Sequence, residues 1–534
     1  MAKSDLLIEI LGTKLTIAAE ETPEYLKMLL DKYRRTIENV QRTTGLKDPL
    51  KTAVLTGFLL CDDIEKAGKA SGAAKEEQGE AERLTQGMIS KLNEIIPDLP
   101  KGDIYSQTPA GIEQDVRGSH PVIAANPPVY KLKNEVKNYN WGSPDWIPTL
   151  LKKKNISRIP QAELWMGVNP SAPSRTELPD GDNTGKSGPL LSELIGMEKE
   201  TFLGKEIAQK YGTLPFLFKV LAAEKPLSIQ AHPNIRQARD GFERENLKGI
   251  PLDAPDRNYK DSSDKPEIIC ALSNFGALCG FRDVREICFL FEILSMESEG
   301  ALKEGFEKLI LALKRQGGNT LKGFISTLFS MDSEWPEMLC PFLRKQHEQF
   351  GRDFPEYKDV WDLCIYLSEF FPKDHGILAP LYLNIIELSP GEAMYVPAGI
   401  LHSYIKGLGI ELMTDSDNVL RGGLSSKHID PSELLAVLEF SEFKPEIMKL
   451  PDPVPFHYKY PAPSGDFTLS VMYGLGTVVP CNETGPSILI VTAGCLIINK
   501  SIVLETGESA FIPPLKSLEF SGTFTAYLAS AKIS

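Results

Sequence analysis

The amino-acid sequence changes character near residue 100, and this change divides the chain into two differently built parts. Residues 1–97 contain no tryptophan, no histidine and only three prolines, Pro23, Pro49 and Pro97. From Pro128 onward tryptophans occur, and short apolar runs alternate with glycine and proline. At about 150 residues per domain, a chain of 534 residues has room for about three to four domains. We therefore expect a helical N-terminal part followed by β-rich domains.

The N-terminal part predicts a hairpin followed by long helices. Two apolar runs, Leu6–Leu11 and Lys14–Ala18, flank the short turn at Gly12. Thr22 followed by Pro23 is typical of a helix start, and apolar residues then recur at steps of three and four. A second, long helix is expected from Asp48 to about Ile96. We predict that residues 1–97 form a helical assembly module and that residues 98–127 form a linker.

The remainder predicts two jelly-roll β domains with an inserted helical lobe, so the whole chain is expected to be a multidomain α+β protein. Short strands interrupted by glycine and proline fill most of this part, whereas residues 284–372 show helical periodicity. In chain order, we predict a first part of the catalytic domain at 128–283, the helical insertion at 284–372, the second part of the catalytic domain at 373–432, and a C-terminal jelly roll at 433–534.

Composition excludes several classes of function. The formal net charge is −14, so a nucleic-acid-binding protein is not predicted, since phosphate contacts need a basic face. No apolar run of about 18 residues is present, so we expect no membrane span. The N-terminus lacks the basic and apolar regions of a secretory signal. The eight cysteines form no CxxC pair and are expected to be free thiols. Together these features predict a cytoplasmic protein.

Four separated residues form a candidate metal site. Gln230 and His232 are two apart and so share one face of a strand, Glu267 supplies a carboxylate, and His402 supplies a second imidazole. Tyr404 lies on the same face of the strand as His402 and is a candidate substrate contact. Two imidazoles, one carboxylate and one amide oxygen suit Zn²⁺ or a similar borderline ion, which would remain a good Lewis acid towards a carbonyl. The alternative is that each histidine is a packed core residue, because an isolated Gln-x-His pair more often has no metal role.

Several longer segments resemble the type I mannose-6-phosphate isomerase family. They occur in that family's order across about 128–534 and are NYNWGS (138–143), AELWMGVNPSAPS (162–174), LPFLFKVLAAEKPLSIQAHPN (214–234), KPEIICALSNFGALCGFR (265–282) and MTDSDNVLRGGLSSKHID (413–430). The resemblance implies a zinc enzyme of cupin fold that interconverts mannose 6-phosphate and fructose 6-phosphate, feeding mannose metabolism and GDP-mannose supply. It also implies one Zn²⁺ per chain, with Gln230, His232, Glu267 and His402 as ligands and Arg421 as the catalytic arginine.

Isomerisation through a cis-enediol(ate) needs an electrophile, a cationic clamp and a base. The planar guanidinium of Arg421 can contact either enediolate oxygens or phosphate. Lys219, Lys265 and Lys427 are candidate phosphate or oxyanion contacts, with solvated surface lysines as the alternative. Ser228 lies two residues before Gln230 and so on its face, where it can donate to a substrate oxygen.

Two carboxylates, Glu411 and Asp417, are candidates for the base. We favour Glu411, because alternation places it on the face opposite Ile410 and Leu412. The other carboxylate would then orient Arg421 or support the metal site. Two further residues from the matched motifs, Trp141 and Glu163, are expected to line or support the pocket, with core packing as an equal alternative for Trp141.

Two positions depart from the family pattern. Asp264 stands immediately before the lysine of the Lys-Pro-Glu motif, where many members have histidine. If that imidazole helps to move protons, this protein must use a carboxylate or another group, which puts the pH profile in doubt. Asn169 also stands where histidine is common, and we expect this change to be only structural.

Residues 5–65 resemble the ZapA family of bacterial cell-division proteins, on the segment ILGTKLTIAAEETPEYLKML and the helices after it. The resemblance implies a homo-oligomer formed through residues 1–97 and binding to FtsZ filaments. The alternative is an unrelated helical dimerisation appendage. For the whole chain, the competing functions are a cupin isomerase of another sugar phosphate and a division-associated scaffold that only binds sugar phosphate.

Overall fold

The computed structural model describes residues 4–10, 13–19, 36–37, 129–177, 188–315, 319–481, 484–514 and 517–533, in two compact units divided at 118/119. In the first unit, the strands Ser4–Ile10 and Thr13–Ala19 pair antiparallel, with Ile10 opposite Thr13. This pairing agrees with the apolar pattern around Gly12. The predicted helix starts at Thr22 and Asp48 and the predicted linker lie outside the described residues.

The second unit contains two large antiparallel sheets. The first carries the segments that hold the candidate site. Its eleven strands are Glu135–Lys137, Glu163–Met166, Phe216–Ala223, Ile229–Ala231, Glu267–Ala271, Phe275–Phe281, Leu383–Leu388, Ala393–Val396, His402–Thr414, Leu420–Gly423 and Ile447–Met448.

The second sheet is built mainly from the C-terminal residues, together with two strands from the start of this unit. Tyr130–Lys133 pairs with Ser509–Ile512, so the chain passes through this sheet before it enters the first one. Both sheets contribute residues to one shared apolar core, which includes Val220, Ile410 and Ile490. The ten strands are Tyr130–Lys133, Arg175–Thr176, His457–Lys459, Phe467–Leu475, Val479–Cys481, Ser487–Ile498, Ile502–Glu505, Ser509–Ile512, Leu518–Ser521 and Thr523–Ala531.

Helices between 284 and 370 form a lobe with its own core, in the region where the sequence shows helical periodicity. Asp283 starts the first helix by accepting from the main-chain N–H groups of Arg285 and Glu286. The core of the lobe is continuous with Ile229 and Leu420, which flank site residues on their strands. The α-helices of the second unit are Trp146–Leu150, Leu191–Met197, Lys199–Leu203, Lys205–Lys210, Ile235–Leu247, Val284–Met296, Gly300–Lys314, Thr320–Phe329, Trp335–Asp353, Lys358–Phe370, Ala379–Tyr382 and Pro431–Val437, with 3-10 turns at Pro355–Tyr357 and His375–Leu378.

The long strand His402–Thr414 connects the parts of the first sheet. Its beginning pairs with Phe275–Phe281, whereas the part from Gly407 onward pairs with Phe216–Ala223. Gly407 has φ +142°, and a Cβ there would lie 2.5 Å from the ring of Phe275. Glycine is therefore required where the strand changes partners. The same strand therefore holds His402 before the change of partner and the buried Glu411 after it.

The expected free thiols are found for the seven cysteines in the described residues, most of them buried. In that same part of the chain, no helix is both long and apolar enough to cross a membrane.

Candidate active site

Three predicted metal ligands meet where their strands begin or end. His232 follows the strand Ile229–Ala231, while Glu267 and His402 are the first residues of theirs. All three side chains are buried, and their donor atoms lie within 4.8 Å of one another. The Nε2 atom of His232 is 3.3 Å from one Glu267 carboxylate oxygen, and that of His402 is 3.4 Å from the other. The fold thus brings residues far apart in the sequence into one cluster.

Both imidazoles present Nε2 to the cluster. The Nδ1 of His232 donates to the main-chain oxygen of Asn418 at 2.7 Å, and the Nδ1 of His402 donates to that of Ile400 at 2.9 Å. A carbonyl can only accept, so each Nδ1 carries a hydrogen, and in a neutral ring Nε2 is then the atom with the lone pair. Burial and the nearby Lys265 ammonium lower the pKa of His232 to about 4, which keeps this ring neutral.

The fourth predicted ligand lies beside this group. The Gln230 side-chain amide is 3.5 Å from His402 Nε2, and Gln230 is directly opposite His402 in the sheet register. On its other side Gln230 pairs with Arg421, whose guanidinium has no ion-pair or hydrogen-bond partner among the described residues. Burial lowers the pKa of Arg421, yet a guanidinium stays charged. The predicted catalytic arginine therefore lies next to the candidate metal ligands, and its N–H groups have no partner among the described residues.

One cation and one hydroxyl hold Glu267. Lys265 Nζ lies 3.3 Å from one carboxylate oxygen, and the Tyr404 hydroxyl donates to the other at 3.3 Å. Burial acts to raise the pKa of Glu267, but the Lys265 ammonium holds it well below its usual range. Tyr404, predicted to contact substrate, is buried, and its hydroxyl contacts this carboxylate instead.

The donor set fits a zinc ion. Zn²⁺ in proteins takes imidazole nitrogen and carboxylate oxygen ligands, usually four in all. Within the described part of the chain, the buried Nε2 of His232 has no hydrogen-bond partner, which is costly unless the lone pair binds a ligand. Gln230, His232, Glu267 and His402 are the residues that would hold the ion.

A second buried cluster is centred on Lys219. Its Nζ lies 3.2 Å from Glu411 and 3.5 Å from Glu163, and 4.9 Å from the ring centre of Trp165. The Trp165 indole N–H donates to Glu163 at 2.8 Å. Burial opposes the ammonium, but the two carboxylates raise the pKa of Lys219 above its usual value. Burial, with Glu267 and Glu163 nearby, raises the pKa of Glu411.

The other predicted residues lie further out. Asp417 is exposed, and its main-chain N–H donates to Asp261. Lys427 is also exposed, with its ammonium 5.9 Å from the Tyr139 ring centre. Trp141 is half-buried and packs against the core, and its ring centre is 5.8 Å from that of Tyr139. Ser228 is half-buried, immediately before the strand that carries Gln230.

Sequence reasoning missed three residues that support the site, namely Trp165, Asn418 and Asp415. All three lie inside the quoted motifs, but no local pattern separates them from the neighbouring residues of those motifs. Asp415 accepts from Asn169 at 2.6 Å, which gives that departure from the family pattern a structural partner. Asp264 is half-buried, and burial together with Asp466 raises its pKa.

Comparison with known proteins agrees with this geometry. A family model described as phosphomannose isomerase type I, catalytic domain, matches residues 129–284. The mannose-6-phosphate isomerase of Escherichia coli K12 is 37% identical over 387 residues, covering 72% of this chain and 94% of the relative. The chain belongs to the mannose-6-phosphate isomerase family. The Schizosaccharomyces pombe member is 33% identical, with 72% of this chain and 93% of the relative covered.

Solved structures of this isomerase family share the fold. A zinc-bound mannose 6-phosphate isomerase superposes with a TM-score of 0.68 at 33% identity, covering 76% of this chain and 100% of that one. The apo form from Salmonella typhimurium gives a TM-score of 0.67 with the same identity and coverage. Separately, the family model for cell division protein ZapA matches residues 6–95. The predicted resemblances of both parts of the chain are thus confirmed.

Proposed function

We propose that this member of the family is a zinc-dependent aldose–ketose isomerase that interconverts mannose 6-phosphate and fructose 6-phosphate through a cis-enediol(ate). The observation that carries the proposal is the buried His232–Glu267–His402 cluster, whose donor atoms lie within 4.8 Å, beside the Arg421 guanidinium, which has no ion-pair partner among the described residues. Family membership supports the choice of substrate. We further propose one ion per chain and a role in mannose metabolism and GDP-mannose supply.

The four ligands in this proposal are Gln230, His232, Glu267 and His402. A bound Zn²⁺ would supply Lewis-acid stabilisation to the sugar carbonyl and hydroxyl oxygens. The residues of the chain orient the donors, because the two Nδ1–H groups are already bonded to main-chain oxygens. Lys265 and Tyr404 hold Glu267 in its charged form.

Glu411 is the proposed base, which removes the proton from one of C1 and C2 and returns it to the other. Its burial favours this role, because a desolvated carboxylate binds a proton more readily than one in water. Lys219 stabilises the charged form at 3.2 Å, and Glu163 holds that ammonium from the other side. Asp417 is the alternative base, and its exposure makes it the weaker candidate.

Arg421 is proposed to contact the enediolate oxygens, since it is buried enough for its charge to act strongly and makes no competing ion pair in the described part of the chain. Lys427, Lys219, Lys265 and Ser228 are proposed contacts for phosphate and hydroxyl oxygens. Trp141 is proposed to form part of the pocket wall, with Tyr139 against its ring.

The N-terminal segment is proposed to assemble the protein into homo-oligomers and to bind FtsZ, on the strength of the ZapA match at residues 6–95. We also propose the division of the chain into 1–97, 98–127, 128–283, 284–372, 373–432 and 433–534. The expected cytoplasmic location stays a prediction.

A coupled assay of the purified full chain on mannose 6-phosphate, with and without chelator, tests the enzymatic proposal. We expect turnover that chelator removes and added zinc restores. Turnover only on a different sugar phosphate would favour the altered-substrate alternative. Binding of sugar phosphate without turnover in the zinc-loaded chain would favour the scaffold.

A further inference from the structure

We infer that Asn418 is a positioning residue for the metal centre: its side-chain amide ties two loops together and so holds its own main-chain oxygen against His232. The inference rests on the proposed function, because it takes His232 as a metal ligand. Asn418 lies between the strands His402–Thr414 and Leu420–Gly423, three residues before Arg421, and is fully buried.

The amide of Asn418 uses both of its ends. Its Nδ2 donates to the main-chain oxygens of Asp261 and Ser263, at 2.9 Å each, and to the Asp261 carboxylate at 3.1 Å. Its Oδ1 accepts from the main-chain N–H groups of Lys260 at 2.7 Å and Asp261 at 3.2 Å. One side chain therefore ties residues 260–263 to residues 416–418. Residues 260–263 lead directly into Lys265 and Glu267.

The Asp261 carboxylate links the same two loops by further hydrogen bonds. It accepts from the Ser416 hydroxyl at 2.9 Å and from the main-chain N–H of Asp417 at 2.8 Å. It also accepts from the main-chain N–H of Ser263 at 2.9 Å. The loop that carries the Asn418 oxygen is thus tied to residues 260–263 both by the Asn418 side chain and by the Asp261 carboxylate.

The hydrogen bonds of Asn418 and Asp261 form a clamp between the two loops, and this clamp sets the orientation of the His232 imidazole. The Asn418 oxygen accepts from His232 Nδ1 at 2.7 Å, which fixes the hydrogen on Nδ1 and leaves Nε2 as the donor atom facing Glu267. Such outer hydrogen bonds fix the tautomer and ring orientation of metal-binding histidines. A shift of the loop would release the ring, and Nε2 would be free to take the hydrogen.

Aspartate cannot replace this asparagine, although it has nearly the same size. Asn418→Asp would place a carboxylate against the main-chain oxygens of Asp261 and Ser263 and against the Asp261 carboxylate, with no hydrogen to donate. The variant therefore removes the clamp without opening a large cavity. Ser416→Ala removes the hydrogen bond from the Ser416 hydroxyl to the Asp261 carboxylate. This variant should also loosen the hold on the His232 ring, with a smaller effect than Asn418→Asp.

The experiment measures the zinc affinity of the full chain by competition with a chromophoric chelator. It also measures the ¹⁵N shifts of the histidine rings in the metal-free protein. We expect Asn418→Asp to lower zinc affinity by about 10- to 100-fold and to lose the Nδ1–H form of His232. The matched control is Asn155→Asp, because Asn155 also ties a loop, by donating to the main-chain oxygens of Pro144 and Ile159 at 2.8 Å each. The control should keep wild-type affinity.

Wild-type zinc affinity in folded Asn418→Asp would overturn the inference, and so would an equal loss in the Asn155→Asp control. If circular dichroism shows that Asn418→Asp does not fold, Ser416→Ala decides: an unchanged affinity with an unchanged His232 tautomer overturns the inference. A wild-type chain that binds no zinc would instead contradict the proposed function, and this inference with it.

Discussion

The Lys219 ammonium lies 3.2 Å from the Glu411 carboxylate, directly across the register of two buried strands. On its other side, the same lysine is opposite Trp165, whose indole N–H holds Glu163. The Lys219 ammonium therefore forms ion pairs with two buried carboxylates, and these keep it charged. Glu411 remains able to exchange a proton, because burial and the nearby carboxylates raise its pKa.

Glu411→Gln is expected to abolish proton transfer at C2 of the sugar. The amide keeps the size of the side chain but cannot accept a proton, so turnover should fall by at least about 100-fold. The measurement is deuterium incorporation into the substrate in D₂O, followed by NMR, together with zinc content.

The matched variant for this test is Asp417→Asn, since both candidates lie between His402 and Arg421 in the sequence. With Glu411 as the base, Asp417→Asn keeps the exchange. Exchange that persists in Glu411→Gln and is lost in Asp417→Asn would show that the assignment of the base is wrong.

Arg421→Ala is expected to lower kcat by about 100- to 1,000-fold while zinc content stays intact. The reason is that a guanidinium which stabilises charge in the transition state affects the rate more than ground-state binding. Arg421→Lys keeps the charge but not the planar pair of donors, so only part of the rate should return. Steady-state kinetics of the three proteins provide the measurement. A rise in KM alone would assign Arg421 to phosphate binding.

Removal of the metal is expected to abolish turnover and to lower the thermal midpoint. The ligands come from three distant segments, so an ion bound only by the folded state stabilises it, by about 2.7 kcal/mol when free metal is 100 times Kd. Differential scanning calorimetry before and after chelation, with zinc added back as the control, measures this. Full turnover in a protein that elemental analysis finds free of metal would contradict the prediction.

Asp415→Asn is expected to stabilise the protein above about pH 6. Burial raises the pKa of Asp415 from its usual 3.8 to about 6, with Asn169 acting in the opposite direction. A folded-state pKa above the unfolded one gives stability that is present below the unfolded pKa and lost as pH rises through the folded pKa. The variant has no such loss, and its side-chain oxygen can still accept from Asn169.

The expected gain is at most about 3 kcal/mol near pH 7.5 and close to zero near pH 4, at about 1.4 kcal/mol for each tenfold change in the acid equilibrium. Thermal midpoints of both proteins across this pH range measure it, with Asp417→Asn at the exposed neighbouring position as control. A constant difference at all pH values would instead point to altered packing.

The sequence predicts candidate ligands by the chemistry of their side chains. Donor types and the family resemblance predict Gln230, His232, Glu267 and His402, and the structure brings these four side chains close together. Asn418 was not predicted, because its contribution is a main-chain oxygen whose direction depends on contacts with residues 260–263. Nothing in the local pattern indicates such a contact.

The pairing of strands that are distant in the sequence could not be predicted from the sequence either. The sequence predicts short strands in most of residues 128–534, but the pairing of Tyr130–Lys133 with Ser509–Ile512 depends on contacts between distant segments. Gly407 shows the same limit, since its need for glycine arises from the ring of Phe275, which is distant in the sequence. Local patterns therefore predicted the elements, whereas long-range contacts decide their partners.

Residues 1–97 are expected to assemble the protein and to be dispensable for its chemistry. All proposed ligands and candidate bases, and Arg421, lie at or beyond residue 219. The Escherichia coli relative is covered over 94% of its length by 72% of this chain, so an enzyme of this family does without such a segment. The sequence predicts a small module of a hairpin and helices, and a module of that size usually needs a partner because it buries too little apolar surface alone. A chain starting near Ala124 should therefore be a monomer with turnover close to that of the full chain.

Light scattering of the two proteins at equal concentration, beside the coupled assay, tests this division of roles. We expect the full chain to be a dimer or larger. The predicted contact is a helix face with Leu84, Met88, Leu92 and Ile95, which are spaced by three or four in the sequence and lie outside the described residues. The matched variant is the full chain with Leu92→Lys, which should lose assembly and keep turnover. The same mass per chain in the full and shortened proteins would remove the assembly role. Co-sedimentation with polymerised FtsZ tests the division role separately, and absence of the full chain from the pellet at low salt would leave residues 1–97 as an oligomerisation module only.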